Sequence, residues 1–464
     1  VPSTAGVVAS SYSDLGTTYS LLRSATLWLD AALSPIQDGY LYNLGTGGET
    51  LNALNARLGS TSTIDINDPV VLTNTGRNYL YLPFVTGNSA RIEGTSLDVL
   101  SNEVEYVGRL TTEMVSATGQ NGGNWICKTG GGNRVFFGQG SSAVSIWFSD
   151  GVANSTVSFP NVLPSYVLDG VTPFWIKVNR RASDGLVKVL FCPDKDTEPL
   201  DSEWIQLGST TITRLIQNVS SPWYIGTYDG FNEPYKGKIY RVIVRDQIGG
   251  PNLVDVDFTK TTSTSHSSFT CTTGQTITIL RGTSGLKSCL VTRPTLLFGA
   301  DDYLEVADND LLDFNATDSF SVIVLMRQWA TPTSFTAYMG KSATAAAGSA
   351  GYVIYSNPGP NTPAMFIGDA TTAQFNGASS YTNGNVVLLA SVIDRTVQTM
   401  RAYTNNNTVA TTSTAAIGSL SNALTLRIGG RPGSADMEFI AAAIFRRALS
   451  ASEIAAIVSY YGAG

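Results

Sequence analysis

Ile428-Gly429, then Ile440, Ile444 and Arg446, is a spaced pattern that occurs twice in this chain. The earlier copy reads Ile225-Gly226, then Ile239, Ile243 and Arg245. From Ile to Ile to Arg the spacing is the same, and the loop after the glycine differs by two residues. Upstream, Ile92 precedes Leu97-Asp98 in one copy, and Val306 precedes Leu312-Asp313 in the other. Two copies of one β-rich unit predict a tandem array, and such arrays are more often binders or spacers than enzymes.

Working outward, the 464 residues are too many for one ordinary core, so two or three domains are expected. Hydrophobic content of 43% is enough to bury them. Only 14% of residues are charged, well below the roughly 25% usual for globular proteins, so Ser, Thr, Asn and Gly must carry the surface. That composition suits extracellular and virion β-proteins. The net charge is -7, and no Lys/Arg run marks a nucleic-acid or anionic-membrane partner. No apolar run is long enough for a membrane span. Val1-Pro2-Ser3-Thr4 lacks a basic-then-apolar leader, which fits release by cell lysis.

Residues 1–24 are Ser/Thr/Gly-rich and read as an arm that orders against a partner. Glu49 to Leu58 offers one helical turn. From Tyr79 onward, short runs of Val, Ile, Tyr, Phe and Trp alternate with Gly, Asn, Asp and Pro, the pattern of antiparallel sheets with one buried face. A polar gap at about 260–274 separates the copies. Asn405-Asn406-Asn407 suits a hairpin tip. The final element reads as a helix, with Ser450 and Glu453 as a capping box and Gly462 just past its end.

Two groups of residues carry a family resemblance. Phe298 to Val306, then Asp313-Phe314 and Ser319 to Val322, resembles the opening of a laminin-G-like, concanavalin A-like jelly roll; Ala448 to Ala456 resembles its close. The first copy resembles the same fold less clearly. Leu51 to Leu58 with Asn67-Asp68-Pro69, Tyr79 to Pro83, Trp204 to Thr210 and Arg281 to Phe298 resemble laminin-G-containing minor tail proteins of actinobacterial tailed phages. That resemblance implies a virion protein, at the tail or, as the alternative, on the capsid surface. It also implies other virion proteins as partners, homo-oligomers, and host surface polysaccharide as a ligand.

The fold hosts both lectins and glucanases, so it does not decide the chemistry. A retaining glucanase needs two carboxylates about 5 Å apart. Glu103-Val104-Glu105 and Asp255-Val256-Asp257 each put two acids on one strand face, without a third. His266 lies in a Ser/Thr linker with no triad partner in view. Gly45, Gly47 and Gly48 lack the strand–glycine–helix context of a phosphate cradle. A non-enzymatic protein is therefore expected, with a cell-wall glycan hydrolase as the weaker alternative.

Trp223, Tyr228, Phe231 and Tyr235 crowd one loop-bearing stretch and are the candidates for stacking on sugar rings. No cofactor is expected. Asp301 and Asp302, with Asp308, Asp310 and Asp313, form an oxygen cluster that makes calcium the alternative. Cys127 and Cys192 read as small buried hydrophobes, while Cys271 and Cys289 flank one segment, and their spacing alone does not establish the geometry of a disulfide.

The expected architecture is all-β: two tandem concanavalin A-like jelly-roll β-sandwiches, 25–265 and 266–464, behind the arm at 1–24 and ending in a short helix.

Overall fold

The computed structural model describes residues 12–463 apart from 38–39, 46–53, 60–69, 74–75, 86, 95–96, 113–122, 131–132, 140–142, 150–153, 161, 217–220, 227–233, 262–266, 283–285, 300–301, 330, 333–334, 357–362, 406 and 430–435. Strands dominate, as the alternation predicts. In Phe174–Arg180, Phe174, Ile176 and Val178 enter a sandwich core while Trp175 and Lys177 face outward.

The chain forms two compact units, 74–292 and 1–73 with 293–464. In the 74–292 unit, one sheet is built around Lys236–Arg245. Val104–Leu110, Phe174–Arg180, Leu186–Pro193 and Ile205–Thr211 follow on one side, and Tyr79–Pro83 then Cys289–Val291 on the other. Asn252–Asp257 pairs with the remaining edge of Lys236–Arg245. The opposing sheet runs Ser268–Thr270, Thr276–Leu280, Ser89–Ile92, Trp223–Ile225, Asn124–Gly130, Asn133–Gln139, Ala143–Ser149, Asn154–Pro160.

The other unit repeats this order, with one additional edge strand, Ile36–Gln37, in its second sheet. Met437–Phe445 takes the central place, with Phe320–Gln328, Val386–Asp394, Thr399–Thr404 and Asn407–Ser413 on one side. On the other side lie Thr295–Phe298 and Val70–Leu72, with Leu27–Asp30 off the path. Its second sheet runs Ile36–Gln37, Tyr40–Leu41, Ala56–Leu58, Tyr303–Val306, Leu426–Gly429, Thr336–Lys341, Gly351–Ser356, Pro363–Gly368, Ala373–Gly377. Each unit is thus an antiparallel jelly-roll sandwich with its own core.

The domain boundaries differ from those read in the sequence. Residues 25–73 do not open the first sandwich, and the second does not begin at 266. Leu27–Asp30 pairs with Met437–Phe445, Ala56–Leu58 with Tyr303–Val306, and Val70–Leu72 with Thr295–Phe298. Their counterparts are Asn252–Asp257, Thr276–Leu280 and Cys289–Val291, which pair with Lys236–Arg245, Ser89–Ile92 and Tyr79–Pro83. One unit therefore has its closing strands after its core, the other before: the two are circular permutants. Strand pairing is decided by edges that meet in space, so the polar stretch near 260–274 marks no boundary.

The repeated pattern also needs a one-residue correction. Ile239 faces Leu110 and points into its core, whereas Ile440 falls in a β-bulge between Leu325–Ala441 and Met326–Phe439 and points outward. The structural counterpart of Ile440 is Tyr240, in the same bulge between Ile239 and Arg241. A one-residue slip reverses every side chain, so the spacing located the right strands in the wrong register. The glycines do correspond. Gly226 and Gly429 have φ of 90° and 75°, and a Cβ on Gly429 would stand 2.6 Å from the Phe298 ring.

Helices cover one sheet face. From Phe439 onward, Met437–Phe445 is apolar on both faces; Phe439, Ala442 and Ile444 enter the sandwich while Ala441, Ala443 and Phe445 lie under helix packing. That cover comprises α1 (Tyr12–Arg23) and α2 (Ala451–Tyr461). The capping box at Ser450 and Glu453 and the left-handed Gly462 bound α2 as expected. The described part of the N-terminal arm is not waiting for a partner: Leu22 is buried in the same cluster as α2, and Tyr19 meets Trp28 edge-on at 5.4 Å. Ala56–Leu58 is a strand rather than the helical turn expected there. Asn405 has the positive φ expected of the hairpin tip. The four cysteines are all buried thiols, and Cys271 and Cys289 form no disulfide; the Cys271 thiol lies 3.1 Å from Gln275 Oε1.

Candidate functional site

Strand alternation fixes one open cleft, which belongs to the 74–292 unit. Val254 and Val256 point into the core, so Asp255 and Asp257 point outward. The chain then tightens into a single turn, Phe258–Lys260, capped by Asp257, whose Oδ1 accepts from the Thr259 amide at 3.1 Å and its hydroxyl at 2.5 Å. Across from this turn run Phe269 to Thr272. Between them lies a cleft of about 500 Å³ lined by Asp257, Lys260, Thr261, Phe269, Thr270, Cys271 and Thr272.

Its floor is rigid. Phe258 is fully buried and takes the Phe269 ring edge-on at 5.6 Å. Arg241 grips Asp255 through two hydrogen bonds of 2.9 and 2.8 Å and stands 3.9 Å from Asp257. Lys260 Nζ is 3.3 Å from Asp257 Oδ2, yet its side chain is 75% exposed. The rim combines an ammonium, a carboxylate, exposed threonines and a half-buried phenyl ring. Such a wall hydrogen-bonds hydroxyl groups and packs against an apolar ring face.

Of the four carboxylates paired in the sequence, three are held in ion pairs and the fourth, Glu103, by backbone amides. Asp255 and Asp257 face Arg241 and Lys260. Glu105 is held by Arg245 at 2.5 Å and Lys177 at 3.9 Å, and Glu103 accepts the Ile248 amide at 3.0 Å. The same outer face carries Arg109 between the Trp175 and Tyr240 rings, and burial pushes the Tyr240 phenol up to about 12.

The residues expected to stack on sugars are placed otherwise. Trp223 is fully buried in the sandwich core and donates from Nε1 to the Leu97 carbonyl at 2.9 Å. Tyr235 is also in the core, its hydroxyl donating to the Thr111 carbonyl. Neither presents a ring face to solvent, and this corrects the expectation for both. Tyr228 and Phe231 lie outside the described residues. Trp223 and Ile225 share the strand face that enters the core, and alternation alone does not say which face that is. The cleft was missed because its walls, Asp257–Thr261 and Phe269–Thr272, belong to opposing sheets and meet only where the sandwich closes, the Thr272 amide donating to the Asp255 carbonyl at 3.1 Å.

The acidic cluster likewise has an internal cation. Lys341, fully buried, places Nζ 2.6 Å from Asp313 and 2.8 Å from Asp308. Asp302 is buried and accepts the Gly299 amide at 2.8 Å, and Asp301 lies outside the described residues. The other unit has the same device, Lys128 Nζ at 2.5 Å from Asp98 and 3.1 Å from the Leu97 carbonyl. The shared Leu-Asp element read in the sequence is therefore the carboxylate that meets a buried lysine. His266 and the glycines Gly47 and Gly48 also lie outside the described residues.

Residues 298–455, about a third of the chain, match the sequence profile of the laminin-G type within the concanavalin A-like lectin/glucanases superfamily. This stretch, with its jelly-roll strands, is a concanavalin A-like domain. No curated protein matches the chain. Among solved structures, the binding domain of Paraclostridial Mosquitocidal Protein 1 is similar over 37% of this chain and 44% of its own, at 12% identity and a TM-score of 0.31. The Botulinum neurotoxin serotype G binding domain is similar over 37% and 43%, at 11% identity and 0.31. The Ruminococcus gnavus sialidase CBM40 bound to α2,3-sialyllactose is similar over 30% and 83%, at 13% identity and 0.26. The chain thus spans less than half the length of the two toxin domains. Scores this low leave the function of this chain resting on its own residues.

Proposed function

We propose that the protein is a non-enzymatic glycan-binding protein that serves as a structural component of a tailed-phage virion, at the tail. The observation that carries the binding role is the open cleft beside Asp257, where an exposed ammonium, threonines and a phenyl ring surround a carboxylate. The superfamily match of residues 298–455 supports the class. The ion-paired states of Asp255, Asp257 and Glu105 favour binding over hydrolysis, because a glycosidase needs one carboxyl as acid and one as nucleophile or base. The virion role rests on the sequence resemblance to actinobacteriophage minor tail proteins. Repeated copies on one particle would turn weak contacts into avidity.

The test is binding of the whole chain to a glycan array and to purified host cell-wall polysaccharide. Lys260→Glu and Phe269→Ala are expected to weaken binding at least tenfold, since each removes a direct contact worth about 1.4 kcal/mol or more. Lys260→Ala, which removes the exposed ammonium without setting a second carboxylate beside Asp257, should also weaken binding and leave the melting temperature within about 2 °C. Absence of binding would remove the glycan role, and release of reducing ends from cell wall would remove the non-enzymatic one. Immunogold labelling of the particle reports tail or capsid.

A further inference from the structure

The order of segments along the chain is closing strands, core, closing strands, core. In the 74–292 unit the closing strands, 252–291, follow the core they complete. In the other unit, residues 27–72 complete a core that lies beyond a whole sandwich in sequence. Those residues are not accessory. Leu27, Leu29, Leu41, Leu54, Ala56 and Leu58 all sit in its hydrophobic core. Without them, Met437–Phe445 loses its partner along Ala441–Ile444, and Tyr303–Val306 and Thr295–Phe298 are each left with an open edge. Unpaired edges beside an exposed core recruit another strand.

We propose that residues 27–72 are a strand-donating segment exchanged between copies, the segment of one copy completing the 293–464 sandwich of the next. The strand pairs and the core packing are the same whether the segment comes from the same chain or a neighbour, so exchange costs no pairing. Its direction follows from the chain. Within one copy, core 79–245 is followed by closing strands 252–291. A head-to-tail array reproduces that order between copies, core 295–445 followed by the neighbour's 27–72. Donor and acceptor are different surfaces, so the contact is heterologous and builds rings or filaments. Self-closure competes through its effective concentration, with the 74–292 unit as the connection between donor and acceptor segments. High local concentration, as on an assembling particle, favours exchange.

Leu29 and Ala442 lie directly opposite one another in the strand register. Two full-length variants, Leu29→Cys and Ala442→Cys, one carrying an affinity tag, are unfolded together, refolded at high concentration and oxidised. A disulfide-linked product at twice the chain mass, joining residue 29 of one copy to residue 442 of the other, is expected. The unmodified chain treated alike, in isotopically light and heavy forms, is expected to give mixed-mass oligomers by native mass spectrometry. These guard against failure of the variants to fold. Monomers at all concentrations overturn the proposal. Mixed-mass oligomers from folded variants without the 29–442 link overturn it too, because the association then lies elsewhere.

Discussion

Lys341 and Lys128 show how a single buried charge organises each sandwich. Lys341 is fully buried, and its ammonium is compensated by Asp313, Asp308 and the Asn422 carbonyl. Truncating one member of such a group leaves the others buried and uncompensated, at a cost of about 3–5 kcal/mol. Lys341→Ala is therefore expected to lower the stability of the 293–464 sandwich by that amount in chemical denaturation. Asp308→Asn should cost far less, since Asp308 is 42% exposed and Asp313 remains. The arginines that end the two repeated patterns diverge. Arg446 donates to the Leu311 and Asp313 carbonyls, while Arg245 pairs with Glu105 and Glu198. Sequence exposed the shared Leu-Asp step, but the lysine that explains it lies about thirty residues further along and meets it only across the sheet.

At the scale of elements, the final helix was legible in full, since capping is local. Ser450 and Glu453 bond reciprocally with backbone amides, and Arg447 also holds Glu453. Ser450→Ala should destabilise the docked helix by about 1 kcal/mol, read as earlier loss of helical ellipticity. The Arg447 bond and the cap hold the Glu453 carboxyl down to about 2, below its ordinary 4.5. A depressed carboxylate contributes stability that is present above its unfolded value and lost as pH falls through the folded one. The effect of Glu453→Gln should therefore be largest above pH 4.5 and fade towards pH 2 in pH-dependent thermal melts. The strand Met437–Phe445 was located correctly but misregistered, because a β-bulge inserts one residue that no spacing announces. The same limit affected the site. Trp223 carried an aromatic signal, and only its sheet partners show that its ring is consumed by the core.

For the whole molecule, the permuted topology makes a sharp prediction. Residues 74–292 contain every strand of their sandwich in one continuous stretch, and expressed alone they should fold cooperatively. Residues 293–464 alone lack Leu27–Asp30, Ala56–Leu58 and Val70–Leu72, and should show no cooperative unfolding in calorimetry. Cooperative folding of the second fragment would mean those strands are dispensable. The sequence by itself determined the β class, the duplication and the terminal helix, because alternation, repeated Ile-Gly steps and capping are encoded within a few residues of one another. Tertiary structure alone decided which segments complete which sandwich, where the bulge shifts the register, that Trp223 and Tyr235 are core, and that the cleft forms at Asp257. All but the cleft depend on strand edges and side chains meeting across dozens to hundreds of residues, and the cleft needs two nearby segments placed on opposing sheets; such contacts are chosen by burial and hydrogen bonding in space rather than by proximity along the chain.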